Sequence, residues 1–290
     1  MNYGAVIKVL GNLLMIEAGL MIPSFFVAIY YNQWDKRAFL ISIIITGVIG
    51  FIMSKSFEYK KGIKAKEGLA IVALGWILAS FFGSLPFVFS GSIPSWVDAF
   101  FETVSGFTTP GATIVDDVEL LPKGILFWRS FTHWIGGMGI LVFTIAVLPT
   151  LGVGGFQIFK VESPGPKPDR IVPRVKDTAK ILYTTYLVIT LLEIVLLLLG
   201  GMSLFDAAVH TFGTVGTGGF SIKNESVGAY NSTYIHLVIG IFMILSGVNF
   251  SLYYALFKGK VREVIRNEEL RLYLGIIFTA VILIAININK

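Results

Sequence analysis

Cysteine is absent from the chain, which excludes disulfides, thiolate metal sites and cysteine nucleophiles. Only three histidines occur, His133, His210 and His236, too few and too scattered for a convincing metal site. There is no H-E-x-x-H motif and no plausible Ser–His pair in one predicted layer, so the chain does not read as an enzyme. Charge is also scarce. Only 14% of the 290 residues are Asp, Glu, Lys or Arg, against about 25% in a soluble domain. What is present instead is apolar: 55% of the residues are hydrophobic. This balance points to the bilayer. A net charge of +5 would suggest nucleic acid on a soluble protein, but here the location of the charge matters more, and no nucleic-acid partner is expected.

Apolar segments of near-spanning length cover 5–31, 38–54, 67–90, 123–150, 178–201, 233–257 and 269–288, each close to the roughly 20 residues needed to cross the hydrocarbon. The first is longer than a signal-peptide core and lacks a small-residue cleavage site, so it reads as a retained span. Segments 55–66, 155–180 and 258–271 hold sixteen of the 23 basic residues, among them Lys60, Lys61, Lys64, Arg174, Lys176, Arg262 and Arg266. The alternate loops 32–37, 91–122 and 202–232 hold three: Lys36, Arg37 and Lys223. The positive-inside rule then predicts a multi-pass cell-membrane protein with a cytoplasmic N-terminus and the alternate loops outside.

One loop occurs twice. SWVDAFFETVSGFTTPGATI (95–114) aligns without a gap to SLFDAAVHTFGTVGTGGFSI (203–222), offset by 108, with seven of twenty positions identical. Chance would give about one match. Ser95/Asp98 and Ser203/Asp206 form S-x-x-D starts, which predict short helices over roughly 96–106 and 204–214. Such helices are too short to span. Their C-terminal ends, aimed inward, favour a cation. The stretches FTTPGATI and VGTGGFSI that follow predict irregular backbone at membrane depth, which is tolerated only where it is buried in protein or lines a water-filled path. Their carbonyls can replace a cation's hydration shell. The alternative, ordinary outer turns, requires the caps, glycines and flanking spans to coincide by accident. A phosphate-loop reading of Gly213, Gly216, Gly218 and Gly219 lacks a preceding strand.

The expected organisation is a two-helix leader (1–66), a first helix–pore loop–helix unit (67–154), a cytoplasmic linker (155–174), a second unit (175–257), and a loop with the first helix of a third unit (258–290). The linker contains four prolines between 161 and 174 and cannot be helical throughout. The fold class is an all-α integral membrane protein, potassium-channel-like in its repeated units, preceded by two extra transmembrane helices. Arg129, His133, Glu17 and Glu193 fall within predicted spans and are either functional groups or structural hydrogen-bonding ones. Gly136, Gly137 and Gly139 are expected to permit close helix packing.

With FWRSFTHWIGGMGILV (127–142), SGFTTPGAT (105–113), TVGTGGFS (214–221) and SGVNF (246–250), the chain resembles the Trk/Ktr/HKT superfamily of potassium transporters, most closely the Trk-type membrane subunit. The resemblance covers nearly the whole chain. It implies four units, each giving one filter segment with a key glycine to a potassium-selective pore. The key glycines would be Gly111 and Gly219, with Thr108, Thr109, Pro110, Gly216, Thr217 and Gly218 supplying neighbouring carbonyls. Pro110 departs from the Thr or Ala usual there, keeping the carbonyl but stiffening the backbone. Arg129 would support the filter near its outer mouth. Potassium is then the transported substrate, with no bound cofactor. The resemblance also implies a cytoplasmic ring of nucleotide-binding regulatory subunits, docked on the basic segments.

Two pore loops are half of a four-part filter, so the chain alone is not expected to conduct. The missing quarters would come from another polypeptide or a second copy, or be lost. The alternatives to potassium uptake are a non-conducting truncated or regulatory subunit of the same ancestry and a sodium/potassium-permeable relative.

Overall fold

The computed structural model describes residues 2–56, 65–139 and 175–288, and within these every regular element is helical. Helices α1 (Tyr3–Tyr30) and α2 (Asp35–Lys55) form the leader hairpin. It crosses tightly at Gly11 and Gly50, where a Cβ on either residue would lie within 3 Å of the other's carbonyl oxygen. Helix α3 (Ala65–Gly83) continues into the short α4 (Leu85–Phe89). Together they satisfy the expected 67–90 span.

Helix α5 (Trp96–Thr108) is the first short helix of the repeat. Its 13 residues reach about 20 Å, well short of a hydrocarbon core about 30 Å thick. Helix α6 (Lys123–Gly137) follows and ends earlier than the expected 123–150 span. Just past its end Gly139 has φ +76°, and its carbonyl accepts from the Tyr183 hydroxyl. Residues 140–150, the linker 155–174, Lys60, Lys61, Lys64 and the Lys176 side chain lie outside the described residues.

The second unit repeats the pattern. Helix α7 (Val175–Leu199) leads to the short α8 (Leu204–Val215). The expected 233–257 span is not straight. Helices α9 (Thr233–Ser246) and α10 (Phe250–Phe257) meet at a 92° bend. The break falls in the SGVNF run. The Asn249 side chain accepts from the Ser251 N–H to start the new helix. Carbonyls freed at the end of α9 must find donors where no water reaches them. Tyr253 donates to the Leu245 carbonyl at 2.6 Å and Tyr273 to that of Ile244 at 3.0 Å. Helix α11 (Val261–Ile265) and the long, exposed α12 (Glu268–Ile288) complete the order. Among the described residues five helices are long and apolar enough to cross a membrane, or six if the bent pair counts as one span.

A core of Leu13, Leu14, Phe39, Ile71, Phe107 and Trp128 joins the leader to the first unit. A second, around Tyr186, Val215 and Ile239, holds the second unit together. Helix α6 connects them: Trp134 donates to the Thr190 hydroxyl, and Tyr186 donates back to the Trp134 carbonyl. The leader's turn also caps α6. Gln33 accepts from the Lys123 N–H at 2.6 Å and Asp35 from that of Ile125 at 3.1 Å. Lys123 lies over the Phe205 ring, and Tyr31 packs on the same ring. The turn after α1, the start of α6 and the start of α8 therefore meet on one side of the bundle.

Candidate ion-filter site

The two short helices begin alike. Ser95 caps α5 by accepting from the Asp98 N–H at 3.4 Å, and Ser203 caps α8 by accepting from that of Asp206 at 3.1 Å. Asp206 also accepts from the Tyr230 hydroxyl. Asp98 and Asp206 place acidic residues in the first turn, complementing the helix dipole.

They also end alike. Thr109 has φ +62° and Thr217 φ +55°, then Gly111 has φ +72° and Gly219 φ +83°. Both pairs are related by the offset of 108. A β-branched residue in the left-handed region is a genuine outlier. Such conformations cost about 1–3 kcal/mol each and cluster at functional sites. Glycine takes the same region freely, which is why it stands at the second left-handed position of each loop.

Thr108 is the last helical residue of α5, with its hydroxyl turned back to the Val104 carbonyl. Thr108, Pro110, Thr217 and Gly219 are exposed, while Thr109, Gly111 and Gly218 are half-buried. Gly216 is buried against the backbone of His133, where a Cβ would lie 2.5 Å from the carbonyl oxygen. The two loops touch: a Cβ on Gly111 would run into the Gly218 carbonyl oxygen. Helix α6 fits between them because Gly136 lies on the Phe107 backbone and Gly137 on Gly216. A cavity of about 350 Å³ opens beside the second loop, lined by Thr217, Gly218 and Gly219 on one side and Ile239 and Met243 on the other.

Arg129 sits behind both loops, almost wholly buried. Its Nε donates to Glu102 Oε1 at 2.6 Å and its Nη1 to the Ser221 carbonyl at 3.0 Å. The guanidinium covers the Phe220 ring at 3.6 Å, and His133 stacks on that ring at 3.9 Å. The Phe220 N–H donates to His133 Nδ1. Glu102 also accepts from the Thr113 hydroxyl at 2.9 Å and the Ile114 N–H at 3.1 Å. One buried ion pair thus links the segment after Gly111 to the segment after Gly219.

The family model described as TrkH, a cation transport protein, matches residues 35–287. The chain belongs to the TrkH family of cation transport proteins. It is 39% identical over 287 residues to the Trk system potassium uptake protein TrkH of Escherichia coli K12, covering 98% of this chain and 59% of that protein. The Trk system potassium uptake protein TrkG of the same strain is 38% identical over 278 residues, covering 94% and 57%. The crystal structure of the potassium transporter TrkH from Vibrio parahaemolyticus superposes with a TM-score of 0.80 at 34% identity, covering 95% of this chain and 57% of that one. The chain spans less than two thirds of the length of these relatives.

In this TrkH-family chain, sequence reasoning picked out Arg129 but missed its partner. Glu102 is a mismatch between the two copies, and nothing in its spacing marked it. It also missed a tie between the two repeated loops: Asp117 and Glu119 after Gly111 bond Asn224 and Lys223 after Gly219. The hydrogen bond from Lys223, with that from the Asn224 N–H, holds the Glu119 carboxyl below its ordinary range. Glu17 is buried on α1 against Gly83, and Glu193 is buried on α7 facing the Thr214 hydroxyl. Among the described residues neither hydrogen-bonds the loop backbone.

Proposed function

We propose that this chain supplies two of the four quarters of a potassium-selective filter in a Trk-type uptake system. The observation that carries this reading is the repeated geometry: a capped short helix, then a left-handed threonine, then a left-handed glycine, twice at one offset, with the loops in contact at Gly111 and Gly218. Alternating left-handed residues turn successive carbonyls toward a common side. The negative ends of α5 and α8 lie at the same place. Carbonyls of residues 108–111 and 216–219 take over the hydration shell of the entering cation. Arg129 would repel that cation if its charge stood alone. Pairing with Glu102 through Nε neutralises it and leaves the Nη donors, one of which goes to the Ser221 carbonyl.

Half a filter leaves a dehydrated cation short of ligands. Two further quarters, from a continuation of this polypeptide or from a separate one, complete the ring. The basic segments face the cytoplasm and dock a nucleotide-binding regulatory partner. The E. coli relatives are named potassium uptake proteins, which supports potassium as the substrate here.

Rubidium uptake in a potassium-uptake-deficient cell tests the reading. The chain alone should give background uptake, and co-expression with a polypeptide carrying two further family pore loops should restore it. Uptake by the chain alone would contradict the half-filter account. No uptake from a complemented assembly confirmed in the membrane would contradict the filter reading itself.

A further inference from the structure

The offset of 108 pairs Glu102 with His210 and Thr113 with Ser221. By identity these are two mismatches, yet within each copy the two side chains bond each other. Thr113 Oγ1 donates to Glu102 Oε1 at 2.9 Å, and His210 Nε2 lies 3.1 Å from Ser221 Oγ. Glu102 and His210 are both the seventh residue of their short helix, and Thr113 and Ser221 both lie two residues past the filter glycine.

The proton positions of the second bond follow from its neighbours. His210 Nδ1 lies 2.9 Å from the Asp206 carbonyl oxygen, which can only accept, so Nδ1 carries the hydrogen. Nε2 of the neutral ring is then an acceptor for the Ser221 hydroxyl. Ser221 Oγ in turn accepts from the Lys223 N–H at 3.0 Å. Each hydrogen has one destination, and His210 is 4% exposed.

The glycine has few contacts of its own, so the bonds of its neighbours set its position. The Gly219 N–H donates to the Gly213 carbonyl at 3.1 Å, but no atom lies within 4 Å of where its Cβ would be. The segment is fixed by the helix end before it and, after it, by Phe220, held through its N–H and ring by His133 and Arg129, and by Ser221.

Resting on the filter reading above, we propose that Glu102 and His210 are equivalent positioning residues that set cation selectivity. Each pins the hydroxyl two residues beyond its filter glycine, the first as a carboxylate and the second as a neutral imidazole acceptor.

The test uses the complemented assembly and measures the ratio of rubidium to sodium uptake, with membrane levels by immunoblot. His210→Ala and Ser221→Ala should each lower the ratio about tenfold, the scale of one buried hydrogen bond left unmade. The double variant should be no worse than Ser221→Ala alone, which removes the bond to His210 together with the acceptor of the Lys223 N–H. His210→Gln, whose Oε1 can accept the same proton, should restore a ratio close to that of the parent. A His210→Ala ratio equal to the parent's, additive single effects, or a Gln variant as poor as Ala would each overturn the inference. If His210→Ala does not reach the membrane, Ser221→Ala and His210→Gln decide it by loss and retention. A parent assembly that moves neither ion overturns the filter reading, and this inference with it.

Discussion

Thr109 and Thr217 hold conformations that β-branched residues avoid, and each is followed two residues later by a glycine that adopts the left-handed region without cost. The two glycines are not equivalent in their surroundings. A Cβ at Gly219 meets open space, so only the positive φ opposes it; a Cβ at Gly111 also strikes the Gly218 carbonyl. Gly219→Ala should therefore cost about 1–2 kcal/mol of local backbone strain and weaken rubidium-over-sodium discrimination only in part. Gly111→Ala displaces a carbonyl of the other loop as well and should abolish discrimination. Uptake ratios of the two variants in a complemented assembly check the order, and equal losses would count against the contact. The positions of both glycines were legible in the sequence because the repeat aligned them. The left-handed threonines were not, since residue type argues against that conformation and only the packed loop enforces it. Glu102 and His210 stayed hidden for a related reason: the repeat preserves their hydrogen bond but not their identity.

At the scale of elements, period and punctuation were readable. The S-x-x-D starts predicted helices over 96–106 and 204–214, and the structure has them over Trp96–Thr108 and Leu204–Val215. The 92° break between α9 and α10 was not read, because Ser246, Gly247 and Asn249 stand within an otherwise apolar run of spanning length. It survives because Tyr253 and Tyr273 supply donors from elements further along the chain. The leader carried no signal of a task in its sequence. In the fold, its turn caps the start of α6 from some 90 residues away. Asp35 is buried and satisfies the Ile125 N–H, which otherwise has no partner in its own helix. Asp35→Ala should cost about 1–2 kcal/mol, the upper range for a helix cap. Thermal unfolding in detergent measures it, with Arg37→Ala, exposed at the next residue but one, as the control that should not shift. An unchanged midpoint for Asp35→Ala would show that the leader does not secure α6.

At the scale of the whole molecule, scarcity of charge fixed the bilayer, and the uneven distribution of Lys and Arg grouped the loops. The structure brings the turn after α1 and the starts of α6 and α8 together on one side through Gln33, Asp35, Lys123 and Tyr31. The tie between the two filter segments was beyond the sequence, since Arg129, Glu102 and Ser221 are far apart in the chain and meet only when α6 lies between α5 and α8. Family membership rests on the match over residues 35–287, while the two repeated loops are what we propose this chain brings to a filter. The most direct measurement is the anomalous scattering of rubidium in crystals of the complemented assembly. The account predicts a rubidium peak in contact with carbonyls of residues 108–111 and 216–219. A peak confined to other parts of the molecule, with these carbonyls bare at saturating rubidium, would contradict it.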